Sequence, residues 1–514
     1  MPPGNNPSGG SGYTQGVFPA ASTFANQCAA PRAGTSDRTG TAFTESMFLR
    51  SWVNDTYLWY REVPDTNPSG FATEDYFQML KTTLTTSSGR GKDQFHFTYS
   101  TQEWENLQSG IELGYGAQFI LLARQPPRKA LVAYVEPGTP ATAASVNLTR
   151  GAEILLADGV DVVNANTQAA VNTLNAAMFP DTAGRPHTFR IREQNGTIRD
   201  ITMTPTATTL NPVPVTSVID PTGVPIGYML FTDHIQTAES GLINAVNQLR
   251  AANVQDLILD LRYNGGGLLD IASELSYMIA GGARTSGQTF ERLVFNDKYP
   301  SINPITGQSL TPTPFHTTAQ GFDTARGTAL PTLNLNRVYV ITGANTCSAS
   351  ESIINGLRGV GVEVYQIGST TCGKPYGFYP QDNCGMTYFS IQFQGLNAQG
   401  FGNYPDGFTP QNSTNGSSAR INGCSIADDF SLGLGDVNEG RLRAALAFRA
   451  SNNLTCPTAS GSSPDAQLKG RTDVPDGMLI RTPMRENRIL RDGTYEPPSS
   501  ATRVRMFNAP VLLD

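Results

Sequence analysis

The spacing of apolar side chains divides the chain into regions of different character. Over residues 43–60 they recur at helical intervals, which predicts an amphipathic helix. Residues 109–206 instead carry short β-type runs and one helical pattern at 168–178. We therefore expect a small N-terminal helical region at 42–108, followed by a β-rich module at 109–206.

Strand-type and helical patterns alternate further along the chain. The predicted strands are 226–232, 257–262, 337–342 and 362–368, and the predicted helices are 238–252, 268–280 and 349–358. This alternation predicts an α/β fold, in which a mostly parallel sheet carries helices on both faces. A further alternating strand at 386–393 and a helix at 442–448 extend this region, so we predict its bounds at 207–456.

Both ends of the chain lack periodicity. The first twelve residues are rich in Gly, Pro, Ser and Asn, which is typical of a flexible spacer, and we predict a disordered linker at 1–41. Residues 457–514 are rich in Pro and charge and are predicted to be a C-terminal extension. We also expect that a targeting segment is removed upstream, with a lipid anchor as one form of it.

Composition narrows the classes of partner. The 514 residues carry a net charge of −7 and contain no Lys/Arg block or basic–aromatic stripe, so a nucleic-acid partner is not expected. Hydrophobic residues make up 39% of the chain, which is ample for a folded core. No apolar run approaches the roughly 18 residues that a membrane-spanning helix needs.

Cysteine usage bears on the compartment. The six cysteines are Cys28, Cys347, Cys372, Cys384, Cys424 and Cys456. An even number favours disulfides and an oxidising compartment, although buried free thiols stay an alternative. None of the spacings resembles a zinc site, and the histidines are scattered, so we predict no metal and no cofactor.

Three predicted strands end in unusual segments. A run of glycines, 265–267, follows the strand at 257–262, and Ser348 follows the strand at 337–342. Lys374 lies in a Gly-Lys-Pro loop after the next strand. Because the carboxyl ends of parallel strands meet at one edge of a sheet, we expect these three segments to form one site.

These residue types suit acyl-transfer chemistry. A serine at a helix start lies near backbone N–H groups that lack partners, and such groups stabilise an oxyanion. We predict Ser348 as the nucleophile, with backbone N–H groups beside it and in the glycine loop 265–267 as oxyanion donors. Lys374 would be the general base, provided that burial lowers the pKa of its amine enough to leave it neutral.

Each of these features has a simpler explanation. Ser348-x-x-Glu351 is also a capping box, glycine runs are usually turns, and single lysines are usually solvated. His234, next to Asp233 after a predicted strand, is a rival base for a Ser-His hydrolase. An α/β-hydrolase esterase is disfavoured, because Thr346-Cys-Ser-Ala-Ser lacks both glycines of the Gly-x-Ser-x-Gly motif.

The motifs resemble those of the carboxyl-terminal processing peptidases, which are PDZ-containing serine–lysine proteases. Asp260-Leu-Arg-Tyr-Asn-Gly-Gly-Gly is similar to their Asp-Leu-Arg-Asn-Asn-Pro-Gly-Gly element. Ser348-Ala-Ser-Glu is similar to their nucleophile motif, and Cys372-Gly-Lys-Pro to their lysine loop. Val135-Glu-Pro-Gly-Thr-Pro-Ala and the residues after it resemble their PDZ domain.

The resemblance implies a fold and an activity. It implies a crotonase/Clp-protease-like core and a PDZ domain at 109–206, whose carboxylate-binding loop would be Gly114, Tyr115, Gly116 and Ala117. It also implies an endopeptidase that forms an acyl-enzyme and cleaves proteins or peptides with apolar C-termini near that end. The resemblance assigns the oxyanion donors to the backbone N–H groups of Ala349 and of Gly266 or Gly267. The secreted and periplasmic bacterial branch implies a periplasmic or extracellular location, with a lipoprotein as one option. No oligomeric state is predicted.

Three departures from the family pattern matter. Family members often have a Gln four residues after the lysine, where this chain has Phe378, and many have an acidic residue about 11 positions after the serine, where this chain has Arg358-Gly-Val. The proline of the glycine loop is replaced by Gly265. Gln381, Asp382 and Glu363 are candidates for orienting Lys374 instead. We also predict a disulfide between Cys372 and Cys384 that stiffens the lysine loop, with other pairings or free thiols as the alternative.

The main alternative to an enzyme is a catalytically degenerate, PDZ-bearing binding or scaffold protein. The presence of both Ser348 and Lys374 argues against it, because loss of activity usually removes one of the two.

Overall fold

The N-terminal region is mixed in secondary structure. The computed structural model describes residues 12–108, 110–123, 126–180, 182–221, 223–414, 417–457 and 478–480. The first elements are β1 (Gln27–Cys28), β2 (Arg38–Thr39), α1 (Ala42–Thr56), α2 (Thr73–Met79), β3 (Phe97–Ser100) and α3 (Thr101–Gln108). Helix α1 begins where predicted, because the side chain of Thr41 accepts a hydrogen bond from the backbone N–H of Thr44.

The predicted disordered linker is wrong over its described part, residues 12–41. The buried guanidinium of Arg50 pairs with Asp65 at 2.6 Å and lies 4.1 Å from the ring centroid of Phe18, which holds the segment against α1. A disulfide from Cys28 to Cys384 then attaches the segment to a strand late in the chain. Residues 1–11 lie outside the described residues, as does most of the predicted C-terminal extension.

Residues 110–209 form a β-rich module with one helix. Its elements are β4 (Ile111–Gly114), β5 (Ala117–Ala123), β6 (Lys129–Val135), β7 (Glu153–Ala157), β8 (Val160–Asp161), α4 (Gln168–Met178), β9 (His187–Arg192), β10 (Ile198–Met203) and β11 (Thr206–Thr209). The main sheet runs β10-β9-β7-β6-β5, and each of its neighbouring pairs is antiparallel. Strands β4 and β11 pair with each other and close the module.

The remaining chain contains the α/β core. Its elements are β12 (Val215–Ile219), β13 (Ile226–Leu230), α5 (Ala238–Ala251), β14 (Asp256–Asp260), α6 (Leu269–Ala280), α7 (Gly282–Thr285), β15 (Thr289–Val294), β16 (Thr313–Pro314), β17 (Arg337–Thr342), α8 (Ala349–Gly359), β18 (Glu363–Gly368), β19 (Tyr376–Gly377), β20 (Gln381–Asn383), β21 (Met386–Phe389), β22 (Phe393–Leu396), β23 (Phe408–Pro410), β24 (Ala419–Ile421), β25 (Gly423–Ser425) and α9 (Gly440–Ala450). One more strand, β26 (Met478–Ile480), follows in the C-terminal extension.

The central sheet positions the site. Its order is β12-β13-β14-β17-β18-β25, and its pairs are parallel except for β12 with β13. Apolar residues of α5, α6 and α8 pack on one face of this sheet, and those of α9 pack on the other. The β14, β17 and β18 ends therefore meet at one edge, where parallel α/β sheets place their ligands.

The predicted mostly parallel character applies to this central sheet and not to the whole chain. The module sheet is antiparallel, and so are the smaller sheets β16-β15-β22-β19 and β20-β21-β3. The last of these crosses a predicted boundary, since β3 of the N-terminal region pairs with β21 of the core. None of the described helices is both long enough and apolar enough to cross a membrane.

Candidate active site

Ser348 lies in a tight turn between β17 and α8. Its backbone adopts φ 54° and ψ −117°, a conformation that is rare for residues other than glycine, and the residue is fully buried. The turn is held by its neighbours, because the N–H of Cys347 donates to the carbonyl of Asn264 at 3.1 Å. Backbone strain at a site held in this way is typical of functional residues.

Glu351 connects the serine segment with the lysine loop. One of its carboxylate oxygens accepts hydrogen bonds from the backbone N–H groups of Ser348 at 3.0 Å and Lys374 at 2.8 Å. The other oxygen accepts from the N–H of Gly373 and the hydroxyl of Thr371. The Ser348 and Lys374 backbones are therefore held next to one another by a single buried carboxylate. The capping-box explanation for Glu351 is thus incomplete, since its side chain also serves the lysine loop.

The amine of Lys374 lies among aromatic rings. Its Nζ atom is 3.9 Å from the ring centroid of Phe378 and 5.2 Å from that of Phe95. Among the described residues no hydrogen-bond partner reaches this amine. Burial lowers the pKa of Lys374 well below its ordinary value, and this outweighs the opposite effect of Asp93 and Glu351.

Asp93 is a site residue that the sequence did not reveal. Its carboxylate accepts the Tyr57 hydroxyl at 2.6 Å and the backbone N–H of Phe95 at 2.8 Å. Burial raises the pKa of Asp93, and the charge of Lys374 acts in the opposite direction. Both Asp93 and Phe95 belong to the N-terminal region, which carries no recognisable motif. The one available signal was a single Asp shortly before the alternating aromatic pattern at 95–99.

The glycine loop lies directly against the serine. A Cβ atom on Gly266 would lie 2.7 Å from the carbonyl oxygen of Cys347, 2.8 Å from the Cβ of Ser348 and 2.9 Å from the backbone nitrogen of Ala349. Gly266 also has a φ of 94°, which disfavours any side chain. This position therefore requires glycine for two independent reasons.

The geometry distinguishes between the two predicted glycine donors. The N–H of Gly266 already donates to the Asn264 side-chain oxygen at 2.9 Å. The N–H groups of Gly267 and Ala349 have no acceptor within the part of the chain that the structure describes. Gly267 and Ala349 are therefore better suited than Gly266 to hold an oxyanion.

His234 braces the glycine loop. Its Nδ1 atom lies 2.9 Å from the Asn264 side-chain oxygen that also accepts the N–H of Gly266. Its backbone N–H donates to the Gly266 carbonyl at 3.2 Å. These contacts give His234 a structural part in the site, and they do not place Asp233 on its ring as a triad would require.

The predicted disulfide between Cys372 and Cys384 is wrong. The bonds of the structure join Cys28 with Cys384, Cys347 with Cys372, and Cys424 with Cys456. The reason lies in the sheet, because β17 and β18 are adjacent parallel strands and their following loops run side by side. The Cys347–Cys372 bond therefore provides a covalent link between the serine segment and the lysine loop.

The three residues proposed to orient Lys374 face elsewhere. Gln381 donates to the backbone of Asp382, and the Asp382 carboxylate accepts the hydroxyl of Thr387. Glu363 is exposed and accepts the hydroxyl of Tyr365 at 2.9 Å. The lysine is instead positioned by Glu351 at its backbone.

Two groups of described residues come closest to a metal site, and neither offers a suitable set of ligands. Cys347, Glu351 and Cys372 lie together, as do Cys28, Glu45 and Cys384. In both groups the sulfur atoms are in disulfides, and metal binding by cysteine requires thiolates.

The predicted carboxylate loop, Gly114 to Ala117, joins β4 to β5. The buried ring of Tyr115 donates its hydroxyl to the carbonyl of Ala177 at 2.7 Å, which fixes the loop beside α4. Gly116 has a φ of 75° and no room for a side chain, since its Cβ would lie 2.3 Å from Thr139. The N–H groups of Tyr115 and Gly116 have no acceptor among the described residues.

The comparisons with known proteins agree on one family. Residues 225–377 match the model of peptidase family S41, and this segment includes the glycine loop, Ser348 and Lys374. A carboxyl-terminal-processing protease of Picosynechococcus sp. is 26% identical over 239 residues, which cover 46% of this chain and 49% of that protein. Residues 225–377, called the S41 core below, are thus the part of the chain that is similar to this family.

Two further relatives extend the comparison of the S41 core. Carboxyl-terminal-processing peptidase 3, chloroplastic, of Arabidopsis thaliana is 25% identical over 295 residues, which cover 55% of this chain and 50% of that protein. The chain thus spans about half the length of the curated relatives it matches. A solved structure of a candidate S41 protease from Bacteroides fragilis has a TM-score of 0.57 at 23% identity, covering 79% of this chain and 97% of that one, which shows a shared mixed α/β fold.

Proposed function

We propose that this chain is a serine endopeptidase with Ser348 as nucleophile and Lys374 as general base. The observation that carries the proposal is the Glu351 carboxylate, which holds the backbones of both residues within 3.0 Å of one oxygen. The match of residues 225–377 to peptidase family S41 supports the same reaction class.

The proposed reaction follows from this arrangement. The Ser348 hydroxyl oxygen attacks a peptide carbonyl carbon and its proton passes to the neutral amine of Lys374. The N–H groups of Gly267 and Ala349 hold the resulting oxyanion. Lys374 then gives the proton to the leaving amine, and an acyl-enzyme forms. Water attacks this ester with Lys374 again as base, which releases the acid and restores the serine.

The aromatic surroundings of Lys374 fit the role of a base. A solvated lysine has a pKa near 10.4 and is charged at neutral pH, so it cannot accept a proton. The rings of Phe95 and Phe378 exclude water from the amine and favour its neutral form. Phe378 therefore replaces the Gln of other family members with a side chain that acts by desolvation.

We further propose that residues 110–209 are a PDZ-type module that binds the free C-terminus of a substrate. Three features support this: the N–H groups of Tyr115 and Gly116 that lack acceptors, the cleft between this loop and the end of α4, and the adjoining edge of β5. Backbone N–H groups of this kind bind carboxylates, and a sheet edge binds the preceding residues as an added strand.

A buried charged network joins this module to the S41 core. Arg150 of the module donates to the Tyr263 hydroxyl and to the Asp428 carboxylate. Tyr263 immediately precedes Asn264, whose side chain holds the glycine loop. The network thus brings a side chain of the module within one residue of the Asn264 that holds the glycine loop.

A pair of peptides tests the proposed function. We expect a peptide with an apolar C-terminal residue and a free carboxylate to be cleaved with a kcat/KM about 10-fold to 100-fold higher than its amidated twin, since hydrogen bonds to a charged group contribute about 1.5–3 kcal/mol. Acetylating the N-terminus of both peptides is the control and should leave the ratio unchanged. Equal cleavage of the two would remove the module from recognition, and no cleavage of either would favour a binding or scaffold protein.

The pH dependence of cleavage tests the surroundings of Lys374. Because the neutral amine is the active form, kcat/KM should rise as the pH rises through the lowered pKa of Lys374. The Asp93 carboxylate opposes that lowering. Asp93→Asn should therefore lower the pKa of Lys374 further and move the rising limb to lower pH. Asp297→Asn, at an exposed carboxylate paired with Arg61, is the control. A limb that stays in place or moves to higher pH would contradict a charged Asp93.

We also propose a periplasmic or extracellular location. Three disulfides within the described residues support it, since such bonds persist in oxidising compartments.

A further inference from the structure

The edge of the module sheet is occupied by the chain itself. Strand β26 (Met478–Ile480), from the C-terminal extension, pairs antiparallel with β5. The register places Met478 opposite Leu121, Leu479 opposite Ile120 and Ile480 opposite Phe119. Strand β5 pairs with β6 on its other side, so β26 covers the only edge of β5 that the module leaves open.

This edge adjoins the proposed carboxylate loop. Strand β5 begins at Ala117, the last residue of the loop, and Phe119 lies two residues further on. Phe119 also lines the cleft between the loop and the end of α4. A peptide whose carboxylate occupied the loop would thus place its last residues along this edge.

The direction of β26 matches that of such a peptide. Because β26 runs antiparallel to β5, its carboxyl-terminal residue, Ile480, lies nearest to the loop. A bound substrate would have to run the same way, with its free carboxylate at the loop and its preceding residues paired along β5. The two strands need the same backbone N–H and C=O groups and cannot pair with β5 together.

The composition and attachment of β26 also suit this role. Met-Leu-Ile is apolar, like the C-termini that the module is proposed to select. The chain that leads to it leaves the core at Cys456, which is bonded to Cys424. The open edge of β5 and the cleft beside it are called the β5 groove below. A segment tethered in this way has a high effective concentration at the β5 groove, so it competes with free peptides in spite of its short pairing.

We infer that Met478–Ile480 is an intramolecular ligand of the β5 groove, which blocks substrate C-termini until it is displaced. The inference rests on the proposed function of the module. It adds that the C-terminal extension sets the apparent affinity of the enzyme for its substrates. Binding through a groove that is free for only a fraction of the time weakens the apparent affinity by that fraction.

A binding experiment on the full chain tests the inference. The probe is a fluorescent peptide ending in Gly-Met-Leu-Ile with a free carboxylate, and Ser348→Ala in all samples prevents its cleavage. Leu479→Pro removes a backbone N–H from the middle of β26, and proline is poorly tolerated there. If the groove is filled about nine-tenths of the time, the dissociation constant for the probe should fall about tenfold.

A matched substitution provides the control. Gln467→Pro places proline in the same extension but outside β26, and it should leave the dissociation constant unchanged. Equal binding of the probe by the parent and the Leu479→Pro variant would overturn the inference while keeping the module as a peptide receptor. No binding to either protein would overturn both the receptor and the inference. Cleavage of an internal peptide by the parent with intact Ser348 reports on the peptidase separately.

Discussion

Lys374→Ala is expected to lower kcat for peptide cleavage by about 10²–10⁴, the usual contribution of a general base. Ser348→Ala is expected to cost at least as much, because no nucleophile remains. Since the two residues act as a unit, the double variant should be no less active than the Ser348→Ala single variant. A fluorophosphonate probe should label the native chain, label the Lys374→Ala variant slowly and leave the Ser348→Ala variant unlabelled.

The control for this experiment is another lysine. The amine of Lys298 also lies 3.9 Å from an aromatic ring centroid, that of Tyr60, but it donates to the Asn54 carbonyl and the residue is exposed. Lys298→Ala should leave kcat unchanged, which separates the effect of a buried neutral amine from that of a lost positive charge. If Lys374→Ala keeps its activity and His234→Ala loses it, the lysine is not the base.

Gly266→Ala is expected to reduce kcat/KM by about 10²–10³ or more, which is the effect of losing one oxyanion donor. The added methyl group would overlap the carbonyl of Cys347 and the Cβ of Ser348, both of which it would approach within 2.8 Å. Either the glycine loop or the serine turn must move to admit it. Steady-state kinetics on a peptide substrate, with thermal unfolding measured in parallel, provide the readout.

Gly287→Ala is the matched control for this substitution. Gly287 has a positive φ of 70°, but nothing lies within 4 Å of its Cβ position. Its replacement adds positive-φ backbone strain without the overlap, so stability should fall by less than in Gly266→Ala while kcat/KM stays unchanged. A similar loss of activity in both variants would show that strain, and not contact with Ser348, explains the effect.

The strands of the central sheet could be predicted because their pattern is local. The run at 337–342 coincides with β17, and β18 begins one residue after its predicted start. Apolar runs between turn residues indicate buried strands directly. The alternation of strands with helices indicates a parallel sheet, in which the strand ends lie at one edge. The three loops of the candidate site followed from this local information and from the motifs within them.

The contacts that complete the site could not be predicted in this way. Asp93 and Phe95 reach Lys374 through the pairing of β3 with β21, which joins segments almost 300 residues apart in the chain. No spacing within either segment indicates that partner. The same applies to the cysteines, where strand adjacency decides the pairing, and to β26, whose three residues are too few for a recognisable period.

The prediction of a disordered linker was wrong over residues 12–41 for a different reason. The Gly-rich composition of the first twelve residues favours disorder, and the prediction extended this to the whole of 1–41. The apolar side chains of residues 12–41 are mostly alanines without a strand or helix period, and the segment is held by the charge of Arg50, by Cys28 and by the packing of Phe24. Order that depends on such isolated contacts leaves little trace in the hydrophobic pattern.

The bond between Cys28 and Cys384 has a consequence for biosynthesis. The two residues are separated by 356 positions, so at about 5–20 residues per second the first waits roughly tens of seconds for the second to be made. Cys347 and Cys372 are synthesised within that interval and are chemically equivalent partners. Pairing of Cys347 with Cys372, as β17 and β18 come together, removes these two competitors and leaves Cys28 for Cys384.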